Sequence, residues 1–506
     1  MSVLQEYNGY DTIATIQLWQ KFAEQLAEKP EAMAVYEEEK ALSQPLLYAM
    51  LKGILVDQQV TGELKELFDR ENADLLQRLD FITKCCGLDV INLGSPVQVQ
   101  WLFGCFDADI DSSNRESLEQ LIKADPELAP IANIILMWRD RKKMLDVLQP
   151  DLVDRDGRMR TFYKVAGTDT QRLSSAKNAL WTGMNLQNIK REDDEDAVGH
   201  ANIRSMFIAD PGYKFCNIDL ERSDSWAVGL EVFQSTGDRS YLDACSARDL
   251  HTVVSRLVWP DLGWTDDEEA NVAIAEQYFY RQYDYRFMSK KGGHGSNYLG
   301  SAFGLAKQMK IPVHVAERFQ RAYFRAFKGI PKWHQIKARE LQTTGRLTNL
   351  FGRVRNVHSR LDSDGTLRAL IAFLGQSVTA YVINRIILRM WRQQMIRPQM
   401  DFHILGQVHD SGLWQFPEAR EAEFCALVRE MAQIPITVTS PQGETITKSI
   451  PIEVATGWNW AKVNKKNPAA NPDGLRKLKP GQLDTRQRTR YPVTKTLGAF
   501  AKREAA

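Results

Sequence analysis

Four polar or aromatic residues recur at a spacing of four in the stretch RFMSKKGGHGSNYLGSAFG: Arg286, Lys290, His294 and Tyr298. Residues four apart on an α-helix lie on one face, so these side chains would form one stripe, roughly 18 Å long from first to last. Cations at one end of such a stripe can hold phosphates, and rings further along can stack on a base. A solvated helix face with a core tyrosine has the same spacing, so the stripe alone leaves both interpretations open.

Three glycines lie inside this predicted helix. Gly292, Gly293 and Gly295 would each cost a helix interior about 1 kcal/mol relative to alanine. A surface helix without a task has little reason to carry them, whereas a mobile segment, or one that a ligand approaches closely, does. The stretch does not have the glycine and Gly-Lys-Ser/Thr spacing of a P-loop.

Two aspartates are predicted at the ends of strands. Asp219 ends the apolar segment in YKFCNIDLERSD, and Asp410 stands at the tip of a hairpin predicted in HILGQVHDSGLWQFP. The adjacent His409, Asp410 and Ser411 imitate a hydrolase triad but cannot converge as one, because they are neighbours in the chain. Each aspartate alone suits a helix cap or a turn. Brought together, the two would hold two divalent ions about 4 Å apart for phosphoryl transfer.

Composition excludes several classes of protein. The 506 residues carry a formal net charge of +1, so no global field indicates a nucleic-acid partner. The six cysteines show no C-x-x-C pair or zinc spacing, which is typical of a reduced, intracellular protein. The N-terminus does not resemble a signal peptide, and no run of about 18 apolar residues predicts a membrane span. We therefore expect a cytoplasmic protein, in a bacterium or a phage-infected cell, with no membrane partner.

The elements that must position these residues change in character along the chain. Residues 1–55 have helical periodicity, and residues 56–150 predict long charged helices, which suit either a projecting arm or a plain helical bundle. Strand and turn signals begin near residue 151, helical signals return at 226–345, and a long helix is predicted at 366–395.

The C-terminal residues 462–506 contain twelve Lys and Arg residues against three acidic residues. With four prolines and few apolar side chains, they predict a loosely ordered basic tail. Both a nucleic-acid-binding arm and a merely solvated tail fit this composition.

Several of these stretches resemble the motifs of family-A DNA polymerases, the bacterial DNA polymerase I type, and most closely their bacteriophage members. NIDLERSD, RFMSKKGGHGSNYLG and QVHDS resemble the three catalytic motifs in the family's order. Smaller similarities lie around them, in TDTQRLSS, NLQNI, IRSMFIAD, DLHT, NLGSPVQVQWLF and GWNW. The resemblance covers residues 7–461.

The resemblance implies an α+β right-hand fold, with an antiparallel palm sheet, a helical thumb and helical fingers. The expected domains are an exonuclease remnant (1–20), palm entry and thumb (21–150), palm with the first metal motif (151–225), fingers (226–345), palm with the second metal motif (346–461) and the basic tail (462–506). The implied function is a DNA-templated DNA polymerase, a nucleotidyltransferase that acts in phage DNA replication. Its implied partners are primer-template DNA and deoxynucleoside triphosphates, and its cofactor is two Mg²⁺ ions.

Residue roles follow from the same resemblance. The metal ligands would be Asp219, Asp410 and the Leu220 carbonyl, and the catalytic residues would be Asp219, Asp410, Arg286 and Lys290. The nucleotide would contact Leu220, Asp224, Arg286, Lys290, His294 and Tyr298. DNA would contact Arg172, Gln187, Arg204, Arg368, Gln376 and His409. Of these, Arg172, Gln187 and Gln376 would read minor-groove acceptors, which check shape without choosing sequence.

Three positions depart from the family pattern. His294 stands where cellular members usually carry Phe or Tyr, so we expect it to affect dideoxynucleotide incorporation. Asp224 stands where Glu usually excludes a 2′-hydroxyl, so we expect looser exclusion of ribonucleotides. Ser411 replaces the Glu that often follows the third-motif aspartate, which leaves two dominant carboxylates.

The N-terminal string YNGYD, from Tyr7 to Asp11, resembles the last motif of a 3′–5′ exonuclease. Asp11 alone cannot hold two metals, so we expect no proofreading by this chain alone. This similarity leaves two alternatives, a separate exonuclease chain that completes the site and a vestigial helix packed on the thumb-palm junction. A processivity factor is a further partner that the sequence leaves open. The rival functions are a polymerase of ribonucleotides and a non-catalytic DNA-binding derivative of the fold.

Overall fold

A computed structural model describes residues 3–88, 91–177, 182–189, 202–280, 283–464 and 467–489. Helices and strands mix along the chain, which confirms the predicted α+β class. The helices are α1 (Val3–Ala27), α2 (Pro30–Lys52), α3 (Gln58–Cys85), α4 (Pro96–Gly104), α5 (Arg115–Ala124), α6 (Ala129–Val147), α7 (Ser223–Thr236), α8 (Ser240–Ser246), α9 (Leu250–Val258), α10 (Glu268–Ala275), α11 (Tyr285–Asn297), α12 (Ala302–Met309), α13 (Val313–Ala326), α14 (Gly329–Thr344), α15 (Asp364–Ile396) and α16 (Glu421–Met431).

The strands are short outside one central sheet. They are β1 (Ile54–Val56), β2 (Arg158–Met159), β3 (Phe162–Lys164), β4 (Ser174–Ala176), β5 (Phe207–Ile208), β6 (Tyr213–Leu220), β7 (Tyr278–Tyr280), β8 (Tyr283–Asp284), β9 (Arg346–Thr348), β10 (Val354–Asn356), β11 (His403–Val408), β12 (Ser411–Pro417), β13 (Ile436–Thr439), β14 (Thr445–Lys448), β15 (Ile452–Gly457) and β16 (Arg476–Leu478).

The central sheet has the strand order β11-β12-β6-β15-β16, and its neighbouring strands are antiparallel. Successive side chains of a strand point to opposite faces. Ile218 and Trp414 therefore enter one hydrophobic cluster, with helices α7 and α15, while Phe215 and Leu413 enter another on the opposite face. Because β6 has core on both faces, the strand that carries Asp219 is held firmly.

Helices α3 and α6 form an arm that extends from this sheet. Asp57 caps α3 by accepting hydrogen bonds from the amides of Gln59 and Val60. Near the sheet, Phe68 and Met144 join the core under β6, and further along Leu79 joins a separate cluster at the other end of the arm. Two cores along one helix pair distinguish a projecting arm from a single compact bundle.

Helices α8 to α14 form a second helical lobe, and Asn297 ties the end of α11 into it. Its amide Nδ2 donates to Tyr241 Oη at 2.8 Å, and its Oδ1 accepts from Tyr323 Oη at 2.8 Å. The Asn297 carbonyl lies 2.9 Å from His334 Nε2. These contacts join α11 to α8, α13 and α14, so the lobe fixes where the helix ends.

Two of the three glycines of α11 have a packing explanation. A Cβ atom on Gly292 would lie 2.4 Å from Cε1 of Phe319, and one on Gly293 would lie 3.3 Å from Cε2 of Tyr323. Both rings belong to α13 and are buried. The sequence predicted a mobile segment or a close approach by a ligand, whereas at Gly292 and Gly293 the close neighbour is helix α13.

Helix α15 confirms the long helix predicted at 366–395. Within the described residues it is the one helix long and apolar enough to cross a membrane by length and composition, although the sequence predicted no membrane span. Of its apolar window, 78% is buried inside the protein, so packing against the sheet and α7 accounts for its composition.

Helix α1 is exposed along its length and has no buried residue. Trp19 stacks on Tyr36 of α2 with ring centroids 5.0 Å apart, while Tyr7 and Tyr10 are exposed. The exonuclease remnant predicted at 1–20 falls on part of this helix, and it stays a prediction.

The loosely ordered tail predicted from residue 462 is wrong for residues 462–464 and 467–489. Strand β16 pairs with β15 and becomes an edge of the central sheet. Asp484 lies beside Lys214 and Arg486, and its side chain is fully buried. Composition does not reveal this order, because the segment is held by backbone pairing and buried ion pairs rather than by many apolar side chains. Residues 465–466 and 490–506 of the predicted tail lie outside the described residues.

A Gly292→Ala substitution tests the packing of α11. Gly-to-Ala exchange in a helix normally stabilises by about 1 kcal/mol, but here the buried Phe319 ring would have to move, so we expect a net loss of about 1–3 kcal/mol. The midpoint of thermal unfolding is the measurement. Gly62→Ala is the matched control, because Gly62 lies in α3 and a Cβ added there would meet nothing within 4 Å, so this variant should be stabilised. Equal stabilisation by both variants would contradict the packing explanation.

Candidate active site

Two carboxylates meet at one end of the central sheet. Asp219 is the penultimate residue of β6, and Asp410 lies in the two-residue turn that joins β11 and β12. The Leu220 amide donates to the Asp410 carbonyl at 3.1 Å, and Asp219 pairs with Ser411 in the register of β6 and β12. The predicted hairpin is confirmed, with its turn at His409 and Asp410, where His409 has a φ of 57°.

A third carboxylate belongs to the same end of the sheet. Glu453 pairs with Asp219 across β15 and β6, so both side chains project from the same face. Glu453 forms an ion pair with Lys477 of β16. Among the described residues, no group of three or more His, Cys, Asp or Glu side chains forms a ready-made metal site. The oxygens of Asp219 and Asp410 have the hard-ligand chemistry that suits Mg²⁺.

Helix α11 carries the predicted stripe as far as His294. Asp284 caps the helix by accepting from the Phe287 amide. Lys290 and His294 are exposed, and Arg286 is partly buried. The helix ends at Asn297, so Tyr298 is its C-cap, with its amide 3.3 Å from the His294 carbonyl oxygen.

Asp249 holds the guanidinium of Arg286. Arg286 Nε donates to Asp249 Oδ2 at 2.6 Å, and the same carboxylate caps α9 through the His251 amide and the Thr252 hydroxyl. Burial would raise the pKa of Asp249, but the hydrogen bonds from Arg286 and Thr252 outweigh it and hold the pKa below its ordinary value. Asp249 therefore remains charged and orients Arg286.

The far end of the stripe lies against α7 and α15. The His294 and Tyr298 rings meet edge to face, with centroids 4.9 Å apart. A Cβ on Gly375 would lie 2.3 Å from Tyr298 Oη, so only a glycine of α15 leaves room for this ring. Burial, reinforced by Asp224, raises the pKa of Tyr298 well above its ordinary value. The phenol therefore stays protonated.

Asp224 lies in the first turn of α7 and faces this corner. Its Oδ1 accepts from the Thr379 hydroxyl at 3.3 Å and lies 4.0 Å from Arg172 Nη2. One side of His294 is exposed, yet burial of the rest of its ring lowers the pKa of His294, and Asp224 opposes that shift. The imidazole is therefore neutral near pH 7.

The residues predicted to contact DNA differ in how exposed they are. Arg368 is exposed and Gln376 is partly buried, both on α15, and His409 is exposed at the hairpin turn. Gln187 is buried, and its Nε2 donates to Gln407 Oε1 at 2.9 Å. The structure thus brings Gln187 to the back of the hairpin rather than to an open surface.

Arg204 is placed in the core beside the central sheet. It is 7% exposed, its guanidinium stacks on Trp460 at 4.4 Å, and it donates to the Ile189 carbonyl at 2.8 Å. This burial argues against the predicted DNA contact, because a phosphate or a base cannot reach a guanidinium enclosed in that way.

One cavity of about 1060 Å³ joins the sheet end to the helical lobe. Seven of the predicted site residues line it: Asp219, Leu220, Asp224, Arg286, Lys290, His294 and Asp410. Asp219 and Asp410 lie on the sheet side and Arg286 and Lys290 on the α11 side, an arrangement suited to a phosphate chain whose reacting end meets the two carboxylates.

The cavity lining also includes residues to which no role was assigned from the sequence, among them Asp249, His251, Glu453 and Lys477. The DLHT string marked the first two, but its cap and its pairing with Arg286 are visible only in the fold. Nothing in the sequence signals that Glu453 and Lys477 share a face with Asp219.

Comparisons with known proteins bear on the family and the fold of this chain. The profile of DNA polymerase family A matches residues 60–462. DNA polymerase I of Chloroflexus aurantiacus is 27% identical over 90% of this chain and 46% of its own length. The thermostable DNA polymerase I of Thermus filiformis is 25% identical over 88% of this chain and 50% of its own. The chain spans about half the length of these curated relatives.

A solved structure shows the same fold. It is the POL domain of Pol1 from M. smegmatis, in complex with DNA primer-template and dNTP, with a TM-score of 0.67 and 22% identity. The match covers 83% of this chain and 70% of that one. It confirms the polymerase-domain fold predicted from the motifs.

The pH dependence of stability tests whether His251, on α9, has a lowered pKa. Burial lowers the pKa of His251 from 6.5 to about 4, with Arg286 among the cations that add to the shift. Since the unfolded chain takes up this proton first, the stability contribution is present above pH 6.5 and is lost as the pH falls towards about 4. NMR titration of the His251 ring should give the lowered pKa, and a His251→Asn variant should lose less stability over that window. An equal loss in both proteins would contradict the assignment.

Proposed function

The chain belongs to DNA polymerase family A, and on that premise we propose that it is a DNA-templated DNA polymerase. The observation that carries this proposal is the cavity that joins Asp219 and Asp410 on the sheet to Arg286 and Lys290 on α11. In this reading the central sheet is the palm, the α3–α6 arm is the thumb and the helical lobe is the fingers. Its substrates are a primer-template and deoxynucleoside triphosphates, and the motif resemblance to bacteriophage members supports a role in phage DNA replication.

The palm end provides the site for the reacting atoms. Asp219, Asp410 and the Leu220 carbonyl would hold two Mg²⁺ ions, and bound divalent ions supply Lewis-acid chemistry at phosphoryl and hydroxyl oxygens. The turn at His409 and Asp410 is tied to β6 by the Leu220 amide, so both carboxylates keep their separation without the substrate. The primer 3′-hydroxyl is placed at this end, beside the carboxylates.

The fingers wall provides the triphosphate site. Asp249 accepts from Nε of Arg286, which leaves the two terminal guanidinium nitrogens to donate to phosphate oxygens. Lys290 lies one turn further along the same face and adds a second cation. Positive groups fixed in advance stabilise charge that develops on the transferred phosphoryl group and on pyrophosphate.

The corner formed by His294, Tyr298 and Asp224 suits the sugar and base of the incoming nucleotide. A neutral imidazole and a protonated phenol give this corner little charge, which favours stacking on a base over binding of a phosphate. Arg368 and Gln376 of α15 extend from the same corner towards the template. Arg172 lies beside Asp224, which supports its assignment to the primer-template groove.

An Asp410→Asn substitution tests the catalytic proposal. The carboxamide keeps the shape but removes the charge, so we expect primer extension with Mg²⁺ to fall about a thousandfold, with little change in affinity for the primer-template. Asp401→Asn, at the other end of β11 and outside the cavity lining, is the matched control and should retain activity. Extension at wild-type rates by Asp410→Asn would exclude the proposed role.

An Asp224→Glu substitution tests sugar discrimination. Asp224 reaches less far into the cavity than the Glu usual at this position, so the longer side chain should lower the ratio of ribonucleotide to deoxynucleotide incorporation severalfold. Single-nucleotide extension kinetics give this ratio. Asp243→Glu, at an exposed position of α8, should leave the ratio unaltered. If Asp224→Glu gave no decrease, the explanation by side-chain length would fail.

A further inference from the structure

The segment beyond residue 462 extends the palm past the region that the family profile matches. Backbone pairing starts at once, since the Leu475 amide donates to the Ala461 carbonyl at 2.7 Å and the Val463 amide to the Leu475 carbonyl at 3.0 Å. Strand β16 then pairs with β15, with Leu475 and Leu478 buried. This segment is therefore an added edge of the catalytic sheet.

Buried charges hold the added edge in place. The Asp484 side chain, fully buried, lies 2.7 Å from Arg486 Nη2 and 3.8 Å from Lys214 Nζ of β6. Arg429 of α16 donates to the Leu478 carbonyl at 2.7 Å. Because removing one partner of such a buried pair leaves an uncompensated charge and is strongly destabilising, β16 keeps a fixed position relative to β6.

The register places Lys477 on the face of the sheet that carries the catalytic carboxylates. Lys477 pairs with Ala455, which pairs with Asn217, and Glu453 pairs with Asp219. Side chains alternate along a strand, so Lys477, Glu453 and Asp219 project from one face. Lys477 forms an ion pair with Glu453, keeps 62% of its side chain exposed and lines the same cavity as Asp219.

We propose that Lys477 binds a backbone phosphate of the primer strand beside its 3′ end, and that Glu453 positions it. This inference rests on the proposed polymerase function, which brings the primer terminus to Asp219. Arg286 and Lys290 serve the triphosphate from the opposite wall, whereas Lys477 stands two strands from Asp219 on the same face of the sheet, the face to which the proposed function brings the primer terminus.

The chemistry of the pair fits a phosphate contact. A lysine ammonium is a compact charge with three donors, and one carboxylate satisfies it only in part. An exposed ion pair contributes little to stability, so Lys477 can share its charge with a phosphodiester without destabilising the sheet. Without a cation at this edge, the primer backbone would face Glu453 and Asp219 directly.

A Lys477→Ala substitution tests the proposal through the salt dependence of binding. One lost phosphate contact should make the slope of log affinity against log salt concentration shallower by about 0.9 for duplex DNA. Affinity for the primer-template should fall several-fold at low salt, while the KM for the deoxynucleotide stays unaltered. Arg476→Ala is the matched control, because it removes a cation from the same strand on the opposite face and should leave the slope as in wild type.

The outcomes separate the inference from the function on which it rests. If wild type does not extend a primer, the polymerase proposal itself fails. If wild type extends primers and Lys477→Ala keeps its salt slope, the phosphate contact is excluded. Glu453→Gln tests whether the ion pair only stabilises the fold. If Glu453→Gln and Lys477→Ala lose equal stability and both keep the wild-type salt dependence of DNA affinity, the proposal is overturned. A shallower slope in Lys477→Ala supports the phosphate contact, and a smaller decrease of the slope in Glu453→Gln supports the positioning by Glu453.

Discussion

The antiparallel register around β6 is the constraint on which the site depends. The hydrogen bond from the Leu220 amide to the Asp410 carbonyl fixes a hairpin turn against a strand that is distant in sequence. A register shift of one residue between β6 and a neighbouring strand would turn Asp219 or Glu453 to the opposite face of the sheet, because side chains alternate with a period of two. The hydrophobic clusters on both faces prevent that slip, since it would also expose Ile218, Trp414 and their neighbours. Core packing thus sets the distances between the carboxylates of Asp219, Asp410 and Glu453.

The opposite wall is fixed by helix packing. Phe319 occupies the space that a Cβ on Gly292 would need, and Asn297 anchors the C-terminal end of α11. Asp249 then orients the guanidinium of Arg286, the first residue of the stripe. Three kinds of interaction therefore fix the position of this face of α11. A similar arrangement at Gly375 lets Tyr298 pack against α15, which links the helical lobe to α15 through a close contact.

The sequence predicted the local elements and the charged motifs because both depend on short-range patterns. The period of α15, the turn at Asp410 and the stripe on α11 follow from residue types at fixed spacings. What it could not predict depends on partners distant in the chain. Lys-rich composition suggested a loose tail, whereas β16 is held by Leu475 pairing and by Asp484. Arg204 belongs to a motif but is enclosed by Trp460, and a motif does not report burial.

In the proposed polymerase, local charge rather than net charge would decide how DNA binds. With a formal net charge of +1, the chain has no overall field to attract DNA, and the carboxylates of the palm repel a phosphate backbone. Cations must therefore stand close to those carboxylates, because screening limits exposed charges to about 8–10 Å at physiological salt. Arg286 and Lys290 meet this requirement on one wall. On the other wall it is met by Lys477, whose position depends on the buried contacts of Asp484 with Lys214 and Arg486. The charge that lines the cavity therefore depends on the folding of the segment that contains β16 and Asp484.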